Sequence, residues 1–358
     1  MTILISKIGK ITKKLDKSSF KEESSLQKFI YDNPDSIPLY EIKEDIRLLI
    51  VAKEFSTRSG SIDALGFDDE GDIYLIETKL YKNPDKRLVV AQVLDYGASL
   101  WKDDINFDDF IGKIEKHVME KFKVNLNQKI KDFFGLDDDE ISVFKNNIRK
   151  NLNEGKFKFV VLMDRVQEEL KNLIIFLNQN SKFDLFAVEI EYYKYEDYDI
   201  VIPKLYGAEV KKDIGVASSS ERGNWDEQSF FEDARKRLNE KELKALIELY
   251  DFSKENADEI RWGTGTARGS FNVKFYKISN KSIYSVFSEG TIHLNFGWLH
   301  DNEETKKYRD MFKSELDKIG LGHKIPNDYD KKYPVLRIKD WQNIVYDFIN
   351  AIKNLISK

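Results

Sequence analysis

Residues 61–96 read SIDALGFDDEGDIYLIETKLYKNPDKRLVVAQVLDY and guide the interpretation of the whole chain. Two short runs with a strand pattern, 61–67 and 72–80, flank the turn sequence DDEG and predict a β-hairpin. A helix is predicted to follow, with Asn83 as its N-cap and Pro84 at its first position. The stretch therefore predicts two strands and a helix in succession.

Charged residues continue an apolar face of the second predicted strand. Side chains alternate between the two faces of a strand, so Glu77 and Lys79 are expected on the same side as Leu75. Burial of such charges costs on the order of several kcal/mol unless they are paired or bind a metal ion. Together with Asp63 on the preceding strand, these two residues are therefore candidates for a functional site.

Length and composition limit what the rest of the chain can be. Its 358 residues exceed the usual size of one domain, and a hydrophobic content of 41% suffices for two cores. The absence of cysteine excludes disulfides, thiolate metal sites and cysteine nucleophiles. The N-terminus does not resemble a signal peptide, and no run approaches the ~20 apolar residues of a membrane span. We therefore expect a cytoplasmic protein without a membrane partner.

The order of predicted elements indicates two domains. Strands alternate with helices through residues 1–210, which predicts an α/β domain with a sheet flanked by helices. The polar run 211–226, with two glycines and a serine triplet, is predicted to be a linker. Residues 227–358 predict helices, three strands and a further short strand at VLRI (335–338), and so a second, α+β domain whose role is unassigned.

A helix is predicted over residues 18–32, before the hairpin. Ser19 and Glu22 have the spacing of a capping box, which assigns Glu22 a structural role. Glu23 is then expected on or beside the buried stripe of this helix. It is therefore the acidic residue of this helix that is available to a functional site.

Carboxylates on neighbouring strands suit the hydrolysis of phosphodiesters. The reaction needs an activated water and neutralisation of the charge on phosphorus, and divalent cations held by carboxylates supply both. Mg²⁺ prefers oxygen ligands and takes one or two carboxylates together with water. A lysine beside them can orient the water or stabilise developing negative charge. Asp63, Glu77 and Lys79 provide these groups.

The pattern resembles the PD-(D/E)XK nuclease superfamily, in its RecB-like, restriction-endonuclease-like branch. The resemblance rests on Asp63, on Glu77-Thr78-Lys79 and on the run from Gln92 to Tyr96, which has the form QxxxY, with Glu23 on the preceding helix. One departure is Ile62, where proline is common in the superfamily. The match covers residues 18–100 through these motifs and extends to residues 156–209 through strand pattern only.

The resemblance implies a fold, a cofactor and roles for these residues. The fold is a restriction-endonuclease-like mixed sheet flanked by helices, and the cofactor is Mg²⁺ or Mn²⁺. Asp63, Glu77, the Thr78 carbonyl and Glu23 would bind the metal, directly or through water. Lys79 would be the catalytic lysine. Gln92 and Tyr96 would position the substrate or the acidic residues.

The function expected from this resemblance is that of a Mg²⁺-dependent deoxyribonuclease, an endonuclease in restriction, defence or repair. Four basic residues near the motif are candidate phosphate contacts, namely Arg58, Lys82, Lys86 and Arg87. The net charge of −5 does not oppose this, because basic patches can be local. Two alternatives stay open: an inactive, nuclease-fold protein that binds nucleic acid, and a nuclease acting on RNA. Homodimerisation stays open as well.

A purely structural interpretation of these residues competes with the functional one. In it, Glu77 and Lys79 form a surface pair on an edge strand, and Gln92 and Tyr96 are ordinary helix residues. Isolated acidic and basic residues at this spacing arise by chance in charged chains. Their combination with the hairpin, Glu23 and the QxxxY run favours a site, and the four histidines have no metal-binding spacing.

Overall fold

A computed structural model describes residues 3–6, 12–42, 46–83, 88–102, 106–136, 138–181, 183–208, 225–263, 268–300 and 302–357. Two compact units divide the chain, one built mostly from residues 1–217 and the other mostly from residues 218–358. The predicted linker 211–226 lies outside the described residues apart from Trp225 and Asp226. Each unit is described here by itself.

The first unit combines strands with helices in its described residues. The elements are β1 Ile3–Ile5, β2 Lys13–Leu15, β3 Lys17–Ser18, α1 Glu23–Asp32, β4 Leu49–Thr57, β5 Gly60–Phe67, β6 Ile73–Lys79, α2 Val89–Lys102, α3 Phe107–Phe122, α4 Leu126–Phe134, α5 Asp138–Glu154, β7 Phe157–Met163, α6 Glu168–Asn180, β8 Asp184–Tyr195 and β9 Tyr198–Tyr206. The predicted hairpin is present as β5 and β6, joined by the DDEG turn.

The described residues of this unit form a seven-stranded mixed sheet. Its order is β3-β8-β7-β6-β5-β4, and β9 also pairs with β8. Strands β6, β7 and β8 run parallel, whereas β4, β5 and β6 are successively antiparallel. The carboxyl ends of β6, β7 and β8 therefore lie along one edge of the sheet, and the amino end of β5 lies at that edge too. The prediction of a mixed sheet flanked by helices is confirmed.

Helices cover both faces of β6, which is why its side chains are buried on either side. Leu26 and Ile30 of α1 pack in one apolar cluster with Tyr74 and Ile76. On the opposite face α2 contacts β6 and β7. Gly97 lets α2 approach closely, because a Cβ there would lie 2.6 Å from the ring of Phe159. The strand that carries the motif thus runs through the middle of the core.

One predicted helix start is wrong, and a second falls outside the described residues. Helix α1 begins at Glu23, and its N-cap Glu22 makes no side-chain cap hydrogen bond. The predicted capping box does not form, since Ser18 is extended and paired with β8 as part of β3. Helix α2 begins at Val89. The predicted start at Asn83-Pro84 falls on residues 84–87, which lie outside the described residues.

The second unit contains a separate antiparallel sheet. Its described elements are α7 Glu227–Arg237, α8 Glu240–Asn256, β10 Glu259–Trp262, β11 Ser270–Lys274, β12 Tyr284–Phe287, β13 Ile292–Leu294, α9 Glu303–Lys318, β14 Val335–Leu336, α10 Ile338–Trp341 and α11 Val345–Ile356. The five strands pair in sequence order. The predicted helices, the three strands and the short strand at VLRI, which is β14, are present, and β10 is an additional strand. Within the described ranges, no helix has the length and apolar content needed to cross a membrane.

Candidate functional site

Asp63 lies at the end of the sheet where β6, β7 and β8 end, and its carboxylate contacts both β6 and α1. The pairing of β5 with β6 reaches Ala64 and Ile76, so Asp63 is one residue beyond it, level with Glu77. Asp63 Oδ2 accepts hydrogen bonds from the Thr78 amide at 2.7 Å and from the Thr78 hydroxyl at 2.6 Å. Its other oxygen, Oδ1, accepts a hydrogen bond from Gln27 Nε2 at 2.9 Å. The carboxylate is therefore held through both oxygens.

Glu77 is buried and incompletely partnered. Only 2% of the residue is exposed, and its Oε2 is buried without a hydrogen-bond partner among the described residues. Its Oε1 lies 3.9 Å from Lys79 Nζ, which is an ion pair too long for a hydrogen bond. A carboxylate oxygen shut away from water in this way is destabilised unless a proton or a cation reaches it.

Glu23 stands at the first position of α1, where the helix dipole favours a negative charge. Its Oε2 lies 3.8 Å from Lys79 Nζ, so Lys79 lies between Glu23 and Glu77. Its Oε1 accepts hydrogen bonds from the Leu80 amide at 3.2 Å and from Asn83 Nδ2 at 2.8 Å. Glu23 thus holds the segment that leaves β6. We call Glu23, Asp63 and Glu77, together with Lys79, the acidic cluster.

The acidic cluster carries more negative than positive charge. Burial raises the pKa of Glu77 to about 8, helped by the charge of Asp63 and opposed by Lys79. Burial also raises the pKa of Asp63, against the opposing effect of the hydrogen bonds from Thr78. The charges of neighbouring carboxylates add to both shifts, so Glu23, Asp63 and Glu77 lie in one another's electrostatic field with a single lysine among them. A bound cation would offset their mutual repulsion.

Gln92 and Tyr96 face the acidic cluster from α2. Gln92 Nε2 donates a hydrogen bond to the Tyr96 hydroxyl at 2.7 Å. Burial raises the pKa of Tyr96, and the charges of Glu77 and Asp63 raise it further. A Cβ on Gly60 would lie 3.3 Å from the Tyr96 ring, so the start of β5 also borders this tyrosine. The QxxxY pair therefore lies within the electrostatic field of Glu77 and Asp63.

Two carboxylates of the acidic cluster suit a divalent metal ion. Within the described stretches, no group of three or more His, Cys, Asp or Glu residues is placed to hold a metal. Asp63 and Glu77 remain as two carboxylates, and Mg²⁺ takes one or two together with water. The orphaned Glu77 Oε2 fits such an ion. Glu23, whose Oε1 is occupied by Leu80 and Asn83, fits less well as a direct ligand.

The predicted phosphate contacts are only partly described. Arg58 is exposed in the turn between β4 and β5, next to the start of the strand that carries Asp63. Lys82 is exposed three residues after Lys79 and donates a hydrogen bond to the Lys21 carbonyl. Lys86 and Arg87 lie outside the described residues. Arg58 and Lys82 therefore remain candidates.

Sequence inspection missed Gln27 and the role of Asn83. Gln27 follows Glu23 by four residues, a spacing that places both on one side of a helix and was the available signal. Its contact with Asp63 spans 36 residues of chain, and that of Asn83 with Glu23 spans 60.

Comparisons with protein-family models, curated proteins and solved structures found no match for this chain.

Proposed function

We propose that this protein is a metal-dependent nuclease that hydrolyses phosphodiester bonds of DNA. The observation that carries the proposal is the buried Glu77 Oε2, which finds no hydrogen-bond partner among the described residues and lies in the field of a second carboxylate, Asp63. A structural ion pair needs no such orphan, because buried carboxylates without partners cost stability. A site that receives a divalent cation does need an open carboxylate oxygen.

The grouping of residues from distant parts of the chain supports the proposal. Glu23 on α1, Asp63 on β5 and the Glu77–Lys79 segment of β6 contact one another or share one electrostatic field. Gln92 and Tyr96 approach from α2. The residues of the resemblance to the PD-(D/E)XK superfamily thus form one group, and the mixed sheet flanked by helices is of the kind that the resemblance implies.

Each residue has a task in the proposed reaction. The divalent cation, when bound, neutralises charge on the phosphate and lowers the pKa of a coordinated water. Asp63, oriented by Thr78 and Gln27, and Glu77, through its free oxygen, would hold that ion. Lys79 Nζ, near two carboxylates, would donate hydrogen bonds to the attacking water or the phosphate.

We propose DNA as the substrate because of the resemblance to the nuclease superfamily. The basic residues near the site would contact phosphates, and such contacts do not depend on base sequence. Arg58 and Lys82 are exposed near the ends of β4 and β6 and can reach phosphates. Phosphate contacts position a nucleic acid without reading its sequence. RNA is the alternative substrate class, and an inactive nucleic-acid-binding protein is the alternative from a different functional class.

The proposal is tested by incubating the purified protein with supercoiled plasmid, linear duplex, single-stranded DNA and RNA. Each substrate is combined with Mg²⁺, with Mn²⁺ or with a chelator. We expect cleavage of DNA that depends on the metal. Lys79→Met should reduce kcat by about 10²–10³-fold, the cost of removing one stabilising donor from an active site, and Asp63→Asn should reduce activity through loss of the metal.

Lys156→Met serves as the matched control, since Lys156 pairs with Glu154 and is half exposed. It should cleave like the wild type. Absence of cleavage on all substrates, with nucleic-acid binding retained, would favour the inactive binding protein. Cleavage of RNA alone would redirect the substrate. Equal activity of the wild type and Lys79→Met would contradict the assignment of this site.

A further inference from the structure

We infer that Gln27 is a positioning residue that fixes the orientation of the Asp63 carboxylate for metal binding. The inference rests on the proposed function and deepens it. Gln27 lies on α1 and is 8% exposed, and its amide donates to Asp63 Oδ1 at 2.9 Å. No motif of the sequence assigns it a role.

The two oxygens of Asp63 are held by two different elements. Thr78, on β6, donates twice to Oδ2, whereas Gln27 donates to Oδ1 from α1. The torsion that turns a carboxylate about its Cβ–Cγ bond is broad and only weakly restrained by itself. A carboxylate held at Oδ2 alone can therefore swing its other oxygen. The bond from Gln27 removes this freedom.

The number of hydrogen bonds leaves room for an ion. An ionised carboxylate offers about four acceptor positions on its two oxygens. Described residues donate three hydrogen bonds to Asp63, two to Oδ2 and one to Oδ1. About one acceptor position then stays available, on Oδ1. The direction in which it points is set by the bond from Gln27.

The chemical type of residue 27 suits this task. A lysine would neutralise Asp63 and compete with a divalent cation, and a glutamate would add a fourth carboxylate to an already acidic group. The amide of Gln27 donates a hydrogen bond and carries no charge. It can therefore orient Asp63 without changing the charge that attracts the ion.

The position of Gln27 on α1 couples it to the rest of the acidic cluster. Gln27 follows Glu23 by one helical turn, and Glu23 holds the Leu80 amide and the Asn83 side chain. Helix α1 thus contacts both strands of the hairpin at the site, β5 through Gln27 and the exit of β6 through Glu23. The buried Leu26 and Ile30 anchor the helix in the core and so keep these two side chains in register.

The test measures Mn²⁺ binding by electron paramagnetic resonance on the full chain, together with cleavage kinetics. Gln27→Met keeps the length of the side chain and removes the donor. Loss of a residue that orients a metal ligand costs about 10–100-fold in metal affinity, so we expect the Kd for Mn²⁺ to rise by that factor. At saturating Mn²⁺, kcat should return to near the wild-type value. A purely structural role would not give this split.

Gln128→Met is the matched control, because Gln128 donates to Asp132 in the same way on the exposed side of α4. It should bind Mn²⁺ like the wild type, and melting temperatures of all variants verify folding. If Gln27→Met binds Mn²⁺ like the wild type while Asp63→Asn does not, this inference fails and the proposed metal site stands. A lower melting temperature with unchanged affinity of the folded fraction also overturns it. If the wild type binds no Mn²⁺, both fail.

Discussion

The buried carboxylates at the two ends of strand β6 differ in the hydrogen-bond donors that surround them. At its start, Asp68 accepts four hydrogen bonds, from the amides of Glu70 and Asp72, the hydroxyl of Tyr74 and the ammonium of Lys158. Lys158 also pairs with Asp72. We call Asp68, Asp72, Tyr74 and Lys158 the turn cluster. At the other end, Glu77 Oε2 is buried, and no residue in the described part of the chain donates a hydrogen bond to it.

This difference in hydrogen-bond donors distinguishes a buried carboxylate that is paired for stability, Asp68, from one that the proposed function uses, Glu77. Asp68 and Glu77 are each 2% exposed, so burial alone does not distinguish them. What distinguishes them is the supply of donors. The turn cluster satisfies Asp68 internally and fastens the hairpin turn to β7, whereas one carboxylate oxygen of the acidic cluster has no donor within the described ranges.

The largest expected effect comes from breaking the turn cluster. Lys158→Met should lower the free energy of unfolding by about 3–5 kcal/mol, because it leaves Asp68 buried without its cation. Burial already raises the pKa of Asp68 to about 7, and Lys158 opposes that shift. The deficit should therefore be larger at pH 8 than at pH 5. Urea unfolding at the two pH values measures it.

The half-exposed Lys156 supplies the control for this variant. Lys156→Met should cost less than about 1 kcal/mol, as exposed ion pairs do. Equal losses for the two lysine variants would contradict the structural role assigned to the turn cluster.

At the acidic cluster, by contrast, we expect a substitution of Glu77 to raise the free energy of unfolding. The pKa of Glu77 is about 8 in the folded protein and 4.5 is its ordinary value. Between these values the folded state binds more protons than the unfolded state, so the stability of the metal-free protein falls as pH rises. Glu77→Gln removes this dependence. The variant should be more stable than the wild type at pH 9 and match it near pH 4.

Guanidinium unfolding in the presence of a chelator measures this difference. Addition of Mn²⁺ at pH 8 should stabilise the wild type and leave Glu77→Gln nearly unchanged, because only an ion bound to the folded state stabilises it. A wild type whose stability is flat with pH, or a variant less stable at pH 9, would show that Glu77 is satisfied by other means.

The smallest expected loss of stability concerns two glycines, one at each end of the hairpin. Gly71 has φ +80°, and a Cβ there would lie 2.9 Å from the Phe144 carbonyl oxygen. Gly60 has φ +130° and borders Tyr96. Alanine at either position should cost about 1–2 kcal/mol through backbone strain. In cleavage assays, only Gly60→Ala should also lower kcat, since Tyr96 must shift. Equal activity losses would contradict this assignment.

The hairpin and its charges could be predicted from local sequence, whereas the start of α1 could not. Alternation and the DDEG turn predict β5 and β6 because these signals act over a few residues. The capping box predicted at Ser19 and Glu22 is wrong because Lys17 and Ser18 pair with Tyr193 and Tyr192 of β8. A partner about 175 residues away thus overrides a good local capping signal.

The sequence by itself determined the mixed α/β character of the first unit, the hairpin, and the kinds of charged residues it carries. It also predicted Glu23, Asp63, Glu77 and Lys79 as one group. Only the tertiary structure decided which buried carboxylate is satisfied and which is not. Donors such as Lys158 and Gln27 reach Asp68 and Asp63 across 90 and 36 residues of chain. Hydrogen bonding over such separations depends on packing, which local patterns do not contain.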